Sequence, residues 1–474
     1  ITGFHTFAVL KGLNRPLRWF NLGVAGLIAM LVGMLMAGYT MLANQASVLY
    51  TYYTPMKANP LFYIGLTVLV IGSWMIGWSQ FATLAAWRKD NPGVRTPIIA
   101  FGSIVNALLW QLCTLGIAAQ MLILVIPWAL NLVPATDVLL SRTLFWFTGH
   151  PLVYFWLLPI YVSWYGMLPK QVGGKLFSDP LARLAFWSFL VLSTPVGFHH
   201  QFADPGVPVA WKYIHTVLTF LVVIPSFMTA FTVVAMLERA GRKKGGAGLF
   251  GWIKKLNWHD PSVAAQILGG ILFFTGGITG VINASASLNL VIHNTTWVPA
   301  HFHVTLATTS TLGFMGISYW LIPHLMKKDL RMPRVALAST WSWFGGMIVF
   351  MLGMYWLGLL GVPRRVPLAT ATYVQPTWEL PGIITAIGGA ILLVAATLYF
   401  VVILSTVFNK KPAVAVPEAP VAEAEVDSSH TPAWLDNYKL WIIISLVLIL
   451  IGYGPILLDM FMNINLTAPG FKVW

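Results

Sequence analysis

Apolar runs of roughly 20 residues recur along the whole chain, and they restrict its fold more than any other feature of the sequence. Hydrophobic residues make up 58% of the 474 residues and charged residues only 9%. A soluble domain carries about 25% charged residues, and no water-soluble core could bury this much apolar surface. The alternating segments of about ten residues that are typical of membrane β-barrels are absent. We therefore predict an all-α, polytopic transmembrane helical bundle.

The apolar runs predict eleven complete spans and a partial span at the start of the chain. Residues 1–10 are too few to cross a bilayer, so we expect the preceding part of this helix to be missing from the sequence. A polar segment at 410–437, rich in Ala, Pro, Val and Glu, is expected to be a flexible cytoplasmic linker before the last span. Residues 1–474 are expected to form a single transmembrane domain. The complete spans are expected at 17–46, 60–87, 97–129, 138–168, 181–203, 209–238, 262–291, 296–325, 335–361, 377–408 and 440–463.

The formal net charge of +14 could suggest a nucleic-acid-binding protein, but the positions of the charges argue against one. Most of the 28 lysines and arginines lie in alternate loops between the predicted spans, which is the pattern of cytoplasmic loops in membrane proteins. We therefore expect a lipid membrane as the surroundings and no nucleic acid as a partner. Cys113 is the one cysteine, so a metal site built from several cysteines is excluded within this sequence.

Five histidines lie within or at the end of apolar segments, where an ionisable residue is by default a functional hypothesis. The alternating direction of the spans places all five in the outer half of the membrane. His150 and the adjacent pair His199 and His200 supply three imidazoles, a ligand set that suits copper and leaves a position open. His301 and His303 are two residues apart, about 200° around a helix, so we expect them to serve two different centres.

Packing offers an alternative for each of these residues taken alone, because a buried histidine often hydrogen-bonds between helices. Five histidines at matched depth favour a metal and haem centre instead. Tyr154 lies four residues after His150 and shares its helix face, where a phenol could give a proton and an electron. Alone, it would be an ordinary interfacial aromatic. The remaining histidines are expected to be surface or interfacial residues without a role: His5, His215, His259, His324 and His430.

A proton route from the cytoplasm would have to use hydroxyl groups and water, because the predicted spans contain essentially no carboxylate near their middle. Two helix faces offer such groups. Tyr161 and Tyr165 continue inward from Tyr154 on one helix, and the second face is formed by Ser226, Thr229 and Thr232. The alternative is that the serine and threonine hydroxyls simply bond backbone carbonyls of the preceding turn.

A basic pair, Arg364 and Arg365, is expected on the outer side of the membrane, next to the end of an apolar helix. Arginine binds carboxylates through two parallel hydrogen bonds, so this pair could hold the propionates of a haem. The alternative is a pair of side chains that snorkel to the interface. His293 lies at the same level, just before the helix of His301.

Four motifs, at 143–154, 193–206, 293–303 and 362–365, together resemble subunit I of the haem-copper oxygen reductases. The resemblance covers nearly the whole chain and is closest to the B type, the Thermus-type oxidase. It implies that His150, His199 and His200 bind CuB. It further implies that His301 is the axial ligand of a high-spin haem and His303 one ligand of a low-spin haem.

The resemblance also assigns the remaining candidates. Tyr154 would be the tyrosine covalently linked to His150, and the propionates would be held by Arg364, Arg365 and His293. A single, K-type proton path would use Tyr161, Tyr165, Ser226, Thr229 and Thr232. Leu152 occupies the position at which the A type has a glutamate that ends a second path.

This sequence departs from the family pattern in two places. The second ligand of the low-spin haem is expected in the missing part before Ile1, and His5 is no substitute because it lies near the cytoplasmic end. Asn289 stands where an aspartate is expected near a propionate. With the missing start restored, the spans would approach the family fold of about 13 helices.

The resemblance implies a terminal oxidase catalytic subunit that reduces O₂ to water, coupled to proton uptake and pumping, in the inner (plasma) membrane of a prokaryote. Electrons would come from cytochrome c or a similar donor through a subunit II that carries CuA. The alternative on the same scaffold is a nitric oxide reductase. Such enzymes generally lack the linked tyrosine and place carboxylates near the non-haem metal, so Tyr154 and the shortage of acidic residues favour the oxidase. A channel or transporter with buried histidines would bind no haem.

Overall fold

The computed structural model describes residues 1–413, 415 and 417–474, and these residues are mainly helical. In chain order the α-helices are α1 Thr2–Leu13, α2 Phe20–Leu42, α3 Pro60–Asp90, α4 Ile98–Ala119, α5 Ile126–Ala129, α6 Val138–Gly149, α7 Pro151–Gly166, α8 Leu168–Gln171, α9 Asp179–Ser193, α10 Val209–Leu221, α11 Val223–Lys243, α12 Pro261–Ala284, α13 Ala286–Ile292, α14 Trp297–Phe302, α15 Thr308–Met326, α16 Pro333–Leu359, α17 Glu379–Val407 and α18 Tyr438–Met462. The strands are β1 Met56–Lys57, β2 Leu176–Ser178, β3 Ala424–Val426 and β4 Phe471–Lys472.

Short 3-10 and π-helical segments connect several of these α-helices. Two segments are π-helical, Gln120–Val125 and His303–Ala307, and a 3-10 helix covers Thr194–Gln201. The remaining 3-10 turns are Ile253–Lys255, Pro376–Trp378, Ser428–His430 and Ala433–Asp436.

Helix starts follow the expected capping chemistry. The side chain of Asn59 accepts a hydrogen bond from the backbone N–H of Leu61, and Pro60 opens α3. Asp260 caps α12 in the same way, followed by Pro261. Each cap satisfies a backbone donor that has no partner within the helix, and proline is well suited to the first helical position.

Nine helices of the described part are long and apolar enough to cross a membrane, so the prediction of eleven complete spans is not confirmed. The spans predicted at 138–168 and 296–325 are not among the nine. In the first, α6 ends at Gly149 and α7 begins at Pro151. In the second, the π-helical turn His303–Ala307 separates α14 from α15. Neither α6, with 12 residues, nor α7, with 16, is long enough to count as a span by itself. Both segments hold candidate functional histidines. The nine helices are Phe20–Leu42, Pro60–Asp90, Ile98–Ala129, Asp179–Gln201, Val209–Lys243, Pro261–Ala284, Pro333–Leu359, Pro376–Val407 and Tyr438–Met462.

The chain forms two compact units. Unit 1 consists of 1–159, 183–225 and 431–474, and unit 2 consists of 160–182 and 226–430. The prediction of a single domain stays a prediction.

In unit 1, helices α2 and α3 pack backbone to backbone through glycines. A Cβ atom on Gly26 would lie 2.6 Å from the carbonyl oxygen of Gly72, and Gly33 faces Gly65 in the same close manner. Small residues at such contacts are typical of membrane helix pairs, because association in lipid depends on close van der Waals packing. Strands β1 and β4 of this unit pair in parallel.

In unit 2, helices α12, α15, α16 and α17 pack around a core that includes Leu268, Leu312, Met315 and Val402. Hydroxyl groups satisfy the polar backbone inside it. For example, Ser339 on α16 donates to the carbonyl of Ala395 on α17 at 2.8 Å.

Within the segment predicted as a flexible linker, described residues before Thr431 make contacts inside unit 2. Strand β3 pairs in parallel with β2, and the N–H of Ala422 donates to the carbonyl of Gly166 at 2.8 Å. Lys175 and Glu423 form an exposed ion pair of 2.8 Å, which lowers the pKa of the glutamate. Flexibility of the segment stays a prediction, and two of its residues, Val414 and Val416, lie outside the described part.

Candidate metal and haem sites

Three histidines of unit 1 bring their ring nitrogens together. One ligand nitrogen from each of His150, His199 and His200 lies within 4.8 Å of the other two. Nδ1 of His150 is 3.3 Å from Nε2 of His200, and His150 and His199 are each only 8% exposed. Among the described residues this is the one group of three or more His, Cys, Asp or Glu side chains close enough to share a metal ion. Converging neutral imidazoles are a typical ligand set for copper or zinc.

Breaks in the α-helical backbone bring these residues together. His150 follows the last residue of α6, and Pro151 begins α7 because proline fits the first turn of a helix. His199 and His200 lie in the 3-10 helix Thr194–Gln201, in which Pro195 has non-helical dihedral angles (φ −93°, ψ 38°). Proline cannot donate the hydrogen bond that would continue α9, so the chain tightens there before it reaches the two histidines.

A threonine orients the ring of His199. Nδ1 of His199 lies 2.9 Å from Oγ1 of Thr219, and this hydroxyl donates its own proton to the carbonyl of His215. The threonine oxygen must therefore accept the Nδ1 proton of His199, which leaves Nε2 as the ligand nitrogen. Such outer partners fix the tautomer and raise the basicity of a metal-binding imidazole.

His215 is buried, so its expected surface or interfacial position is wrong. The N–H of Phe198 donates to its Nδ1 at 3.2 Å, and its Nε2 donates to the carbonyl of Gly452 at 2.9 Å. His215 thus supports the backbone immediately before the histidine pair. The available signal was its i, i+4 spacing from Thr219 on α10, which puts both residues on one helix face. His5 is also buried, at 2% exposure, rather than interfacial.

Aromatic rings surround the histidine cluster. Trp146 stacks on His200 with ring centroids 3.8 Å apart and an angle of 9° between the rings. The centroid of Tyr154 lies 5.1 Å from that of His150, and its other neighbour is Phe189 at 5.3 Å. The phenol ring and the imidazole are therefore adjacent on one helix, as the i+4 spacing predicts. The covalent link between them stays a prediction.

In unit 2, His301 and His303 contact different helices. Nδ1 of His301 lies 2.8 Å from Oγ1 of Thr279 on α12. Nδ1 of His303 donates to the carbonyl of Pro299 at 2.6 Å, and its ring packs 5.2 Å from that of Phe350 on α16. In both residues the engaged Nδ1 leaves Nε2 as the nitrogen that could bind iron.

The predicted propionate residues lie in two loops that pair with each other. The backbone N–H of Arg364 donates to the carbonyl of Asn294 at 2.7 Å, and its guanidinium donates to the Asn294 side chain at 2.8 Å. Nδ1 of His293 lies 2.9 Å from Oδ1 of Asn289. Arg365 has a positive φ of 70°. A guanidinium has five N–H donors, so Arg364 can bind an anion in addition to Asn294.

One hydrogen bond inside unit 2 joins two residues of the predicted hydroxyl route. The phenol of Tyr165 donates to Oγ1 of Thr229 at 2.7 Å, and both groups are buried. Tyr161 lies next to Tyr165, with ring centroids 6.1 Å apart. The hydroxyl of Thr232 donates to the carbonyl of Met228 at 2.8 Å, which is the backbone alternative considered above. Ser226 is partly exposed on the same helix.

Known proteins resemble this chain over most of its length. Residues 1–391 match the family described as Cytochrome C and Quinol oxidase polypeptide I. Cytochrome c oxidase subunit 1 of Thermus thermophilus is 44% identical over 467 residues, which cover 97% of this chain and 82% of the relative. Cytochrome c oxidase polypeptide 1 of Halobacterium salinarum is 28% identical over 279 residues, covering 59% of this chain and 43% of the relative. A solved structure described as a heme-copper terminal oxidase dimer is 36% identical with a TM-score of 0.91, covering 96% of this chain and 81% of that chain.

Proposed function

Because this chain belongs to the family of cytochrome c and quinol oxidase polypeptide I, we propose that His150, His199 and His200 bind the copper ion, CuB, of its reaction site. The chain is the catalytic subunit of a terminal oxidase, a haem-copper enzyme that reduces O₂ to water. Three neutral imidazoles suit copper and leave one coordination position open. The observation that carries the proposal is the convergence of the three ring nitrogens within 4.8 Å.

His301 binds the iron of a high-spin haem, and His303 is one ligand of a low-spin haem. Two facts support this division: the two rings contact different helices, and each has its Nδ1 engaged in a hydrogen bond. When bound, the two haems and the copper supply the redox chemistry of the reaction. The chain itself orients the imidazoles through the hydrogen bonds to Nδ1 of His301 and His303.

Tyr154 is the catalytic donor beside the copper site. Its phenol holds a proton one helical turn from His150, with the ring centroids 5.1 Å apart. A phenol in this position can give both a proton and an electron during the reduction of O₂. The covalent link to His150 would keep the ring at the site throughout turnover.

Protons reach the site from the cytoplasm through hydroxyl groups, and turnover is coupled to pumping. The hydrogen bond from Tyr165 to Thr229 supports this route, because a hydroxyl can accept one proton and donate another. Tyr161, Ser226 and Thr232 extend the path, with water completing the connections.

Further groups complete the complex. Arg364, Arg365 and His293 bind haem propionates. Electrons enter from cytochrome c or a similar donor through a subunit II that carries CuA, since Cys113 alone cannot form a centre that needs two cysteines. The complex lies in the inner membrane of a prokaryote. The relatives are named as cytochrome c oxidases, and no observation favours the nitric oxide reductase.

The experiment that tests the function measures O₂ and NO consumption by the purified complex, together with its haem and copper content. We expect rapid O₂ consumption with reduced cytochrome c as donor. Tyr154→Phe should keep copper and both haems and lose turnover by about 1,000-fold or more, within the range that removal of a catalytic group produces. Tyr213→Phe, on the exposed face of α10, is the matched control and should keep normal activity. Preferential consumption of NO, or full activity in Tyr154→Phe, would contradict the proposal.

A further inference from the structure

Three helices of unit 2 meet in a chain of hydrogen bonds that ends at His301. The phenol of Tyr355 on α16 donates to Oγ1 of Thr279 on α12 at 2.8 Å. The same oxygen lies 2.8 Å from Nδ1 of His301 on α14. None of the sequence motifs includes Tyr355 or Thr279.

The protons in this chain can be assigned from the partners. Thr279 donates its one hydroxyl proton to the carbonyl of Gly276 at 2.6 Å, so its oxygen can only accept from Tyr355 and His301. A hydroxyl oxygen has two lone pairs, which matches these two donors. His301 therefore carries its proton on Nδ1. Thr305 lies farther from this nitrogen, at 3.2 Å, and is the weaker partner. The carbonyl of Gly276 also faces the imidazole.

We propose that Thr279 and Tyr355 are positioning residues that set the orientation and the electron-donating strength of His301 toward the iron of the high-spin haem. The inference rests on the proposed function of His301 as an iron ligand. A hydrogen bond from Nδ1 to an oxygen gives the imidazole partial anionic character, which makes its Nε2 a stronger ligand.

Tyr355 acts in the opposite sense to Thr279. Its phenol draws electron density from the threonine oxygen, so that this oxygen accepts the proton of His301 less strongly. The donation from Thr279 to Gly276 has the reverse effect, because hydrogen bonds in a chain polarise one another. The pair thus holds the basicity of His301 at an intermediate value.

Packing fixes the geometry of this arrangement. A Cβ atom on Gly280 would lie 3.0 Å from Cε1 of His301, so glycine at this position lets the imidazole lie directly against α12. On the other side, the ring of Tyr355 packs on Trp297 with centroids 4.6 Å apart. The phenol and the imidazole therefore have little freedom to move away from Thr279.

The test uses the purified, fully assembled oxidase in its reduced, ligand-free state. Two quantities are measured: the iron–imidazole stretching frequency of the high-spin haem by resonance Raman spectroscopy, and the midpoint potential of that haem. Thr279→Val should lower the frequency and raise the potential, because His301 loses its nearer acceptor. Tyr355→Phe should shift both quantities in the opposite direction. Thr279→Ser keeps the hydroxyl and should restore both values.

Thr275→Val is the matched control, since Thr275 lies one turn earlier on α12 and bonds only backbone carbonyls of its own helix. It should leave both quantities unchanged. A normal frequency and potential in Thr279→Val and Tyr355→Phe would overturn the proposal. If Thr279→Val does not assemble, Tyr355→Phe decides the matter alone.

His301→Gly separates this proposal from the proposed function. Loss of the high-spin haem signal in His301→Gly, with unchanged spectra in the other variants, would reject only the role of Thr279 and Tyr355. An unchanged iron–imidazole band in His301→Gly would reject His301 as the ligand, and with it both proposals.

Discussion

The histidine cluster of unit 1 and the histidine pair of unit 2 differ in the backbone conformation that positions their rings. His199 and His200 are adjacent, and both reach His150 because the chain leaves the α-helical path at Pro195. His301 and His303 are two residues apart on a helical run, and their rings contact different helices. We expect the turn at Pro195 to gather ligands around one ion, and the helical run to distribute His301 and His303 between two centres.

The two regions use similar outer partners despite this difference. A threonine hydroxyl accepts the Nδ1 proton of His199 in one region, and another threonine accepts that of His301 in the other. In each case the threonine gives its own proton to a backbone carbonyl. This fixes the tautomer without placing a charge in the membrane, where an unpaired charge is costly.

The largest effect that separates the two regions is expected from His303→Ala. This variant should lose the low-spin haem and all measurable turnover while it retains copper, because all three proposed copper ligands lie in unit 1. Haem and copper analysis of the purified complex measures both. Loss of copper in this variant would show that the regions are not independent, and His259→Ala, an exposed loop substitution, is the control.

Pro195→Ala tests whether this proline is the reason that the chain leaves the α-helical path before His199 and His200. With a donor N–H restored, α9 can continue as an α-helix toward the histidine pair, and His199 and His200 would then point in different directions. We expect copper content to fall severalfold while both haems remain. Normal copper content would mean that Pro195 does not determine the orientation of His199 and His200.

Thr219→Val removes the acceptor of the His199 Nδ1 proton and leaves the ligand in place. Loss of such an outer partner typically weakens metal binding by about 10–100-fold. Copper affinity measured by competition with a chelator should show this change, and Thr219→Ser should restore it. If copper affinity in Thr219→Val equals that of the parent protein, the Thr219 hydroxyl does not contribute to copper binding.

The smallest expected effect is that of Thr229→Val, which removes the acceptor of the Tyr165 proton. Turnover should fall by about tenfold, corresponding to about 1.4 kcal/mol in the activation barrier. The optical spectrum should stay unchanged, because Thr229 is not one of the proposed metal or haem ligands. Thr397→Val is the control, since that exposed hydroxyl of α17 bonds a backbone carbonyl of its own helix and belongs to no proposed path. Equal rates in Thr229→Val and the parent enzyme would contradict the hydroxyl route.

Contacts within one helix could be predicted from the sequence, and contacts between distant segments could not. The spacing of Tyr154 after His150 follows from the helical repeat alone. The burial of His215 and the bond from Tyr355 to Thr279, which joins residues 76 positions apart, depend on how helices pack. For Tyr355 and Thr279, no periodicity within either helix indicates that packing.

The number of membrane spans is also predicted only in part from the sequence. Apolar runs predict a helix at 138–168, but α6 ends at Gly149 and α7 begins at Pro151. The two predicted spans that are not confirmed are the segments that hold candidate histidines.

The central claim is that three imidazoles of unit 1 share one copper ion, and counting copper in His199→Ala tests it most directly. Metal analysis of the parent complex and the variant, each with its haem content, should show one copper fewer per complex in His199→Ala and equal haem. Equal copper content in the two proteins would contradict the claim.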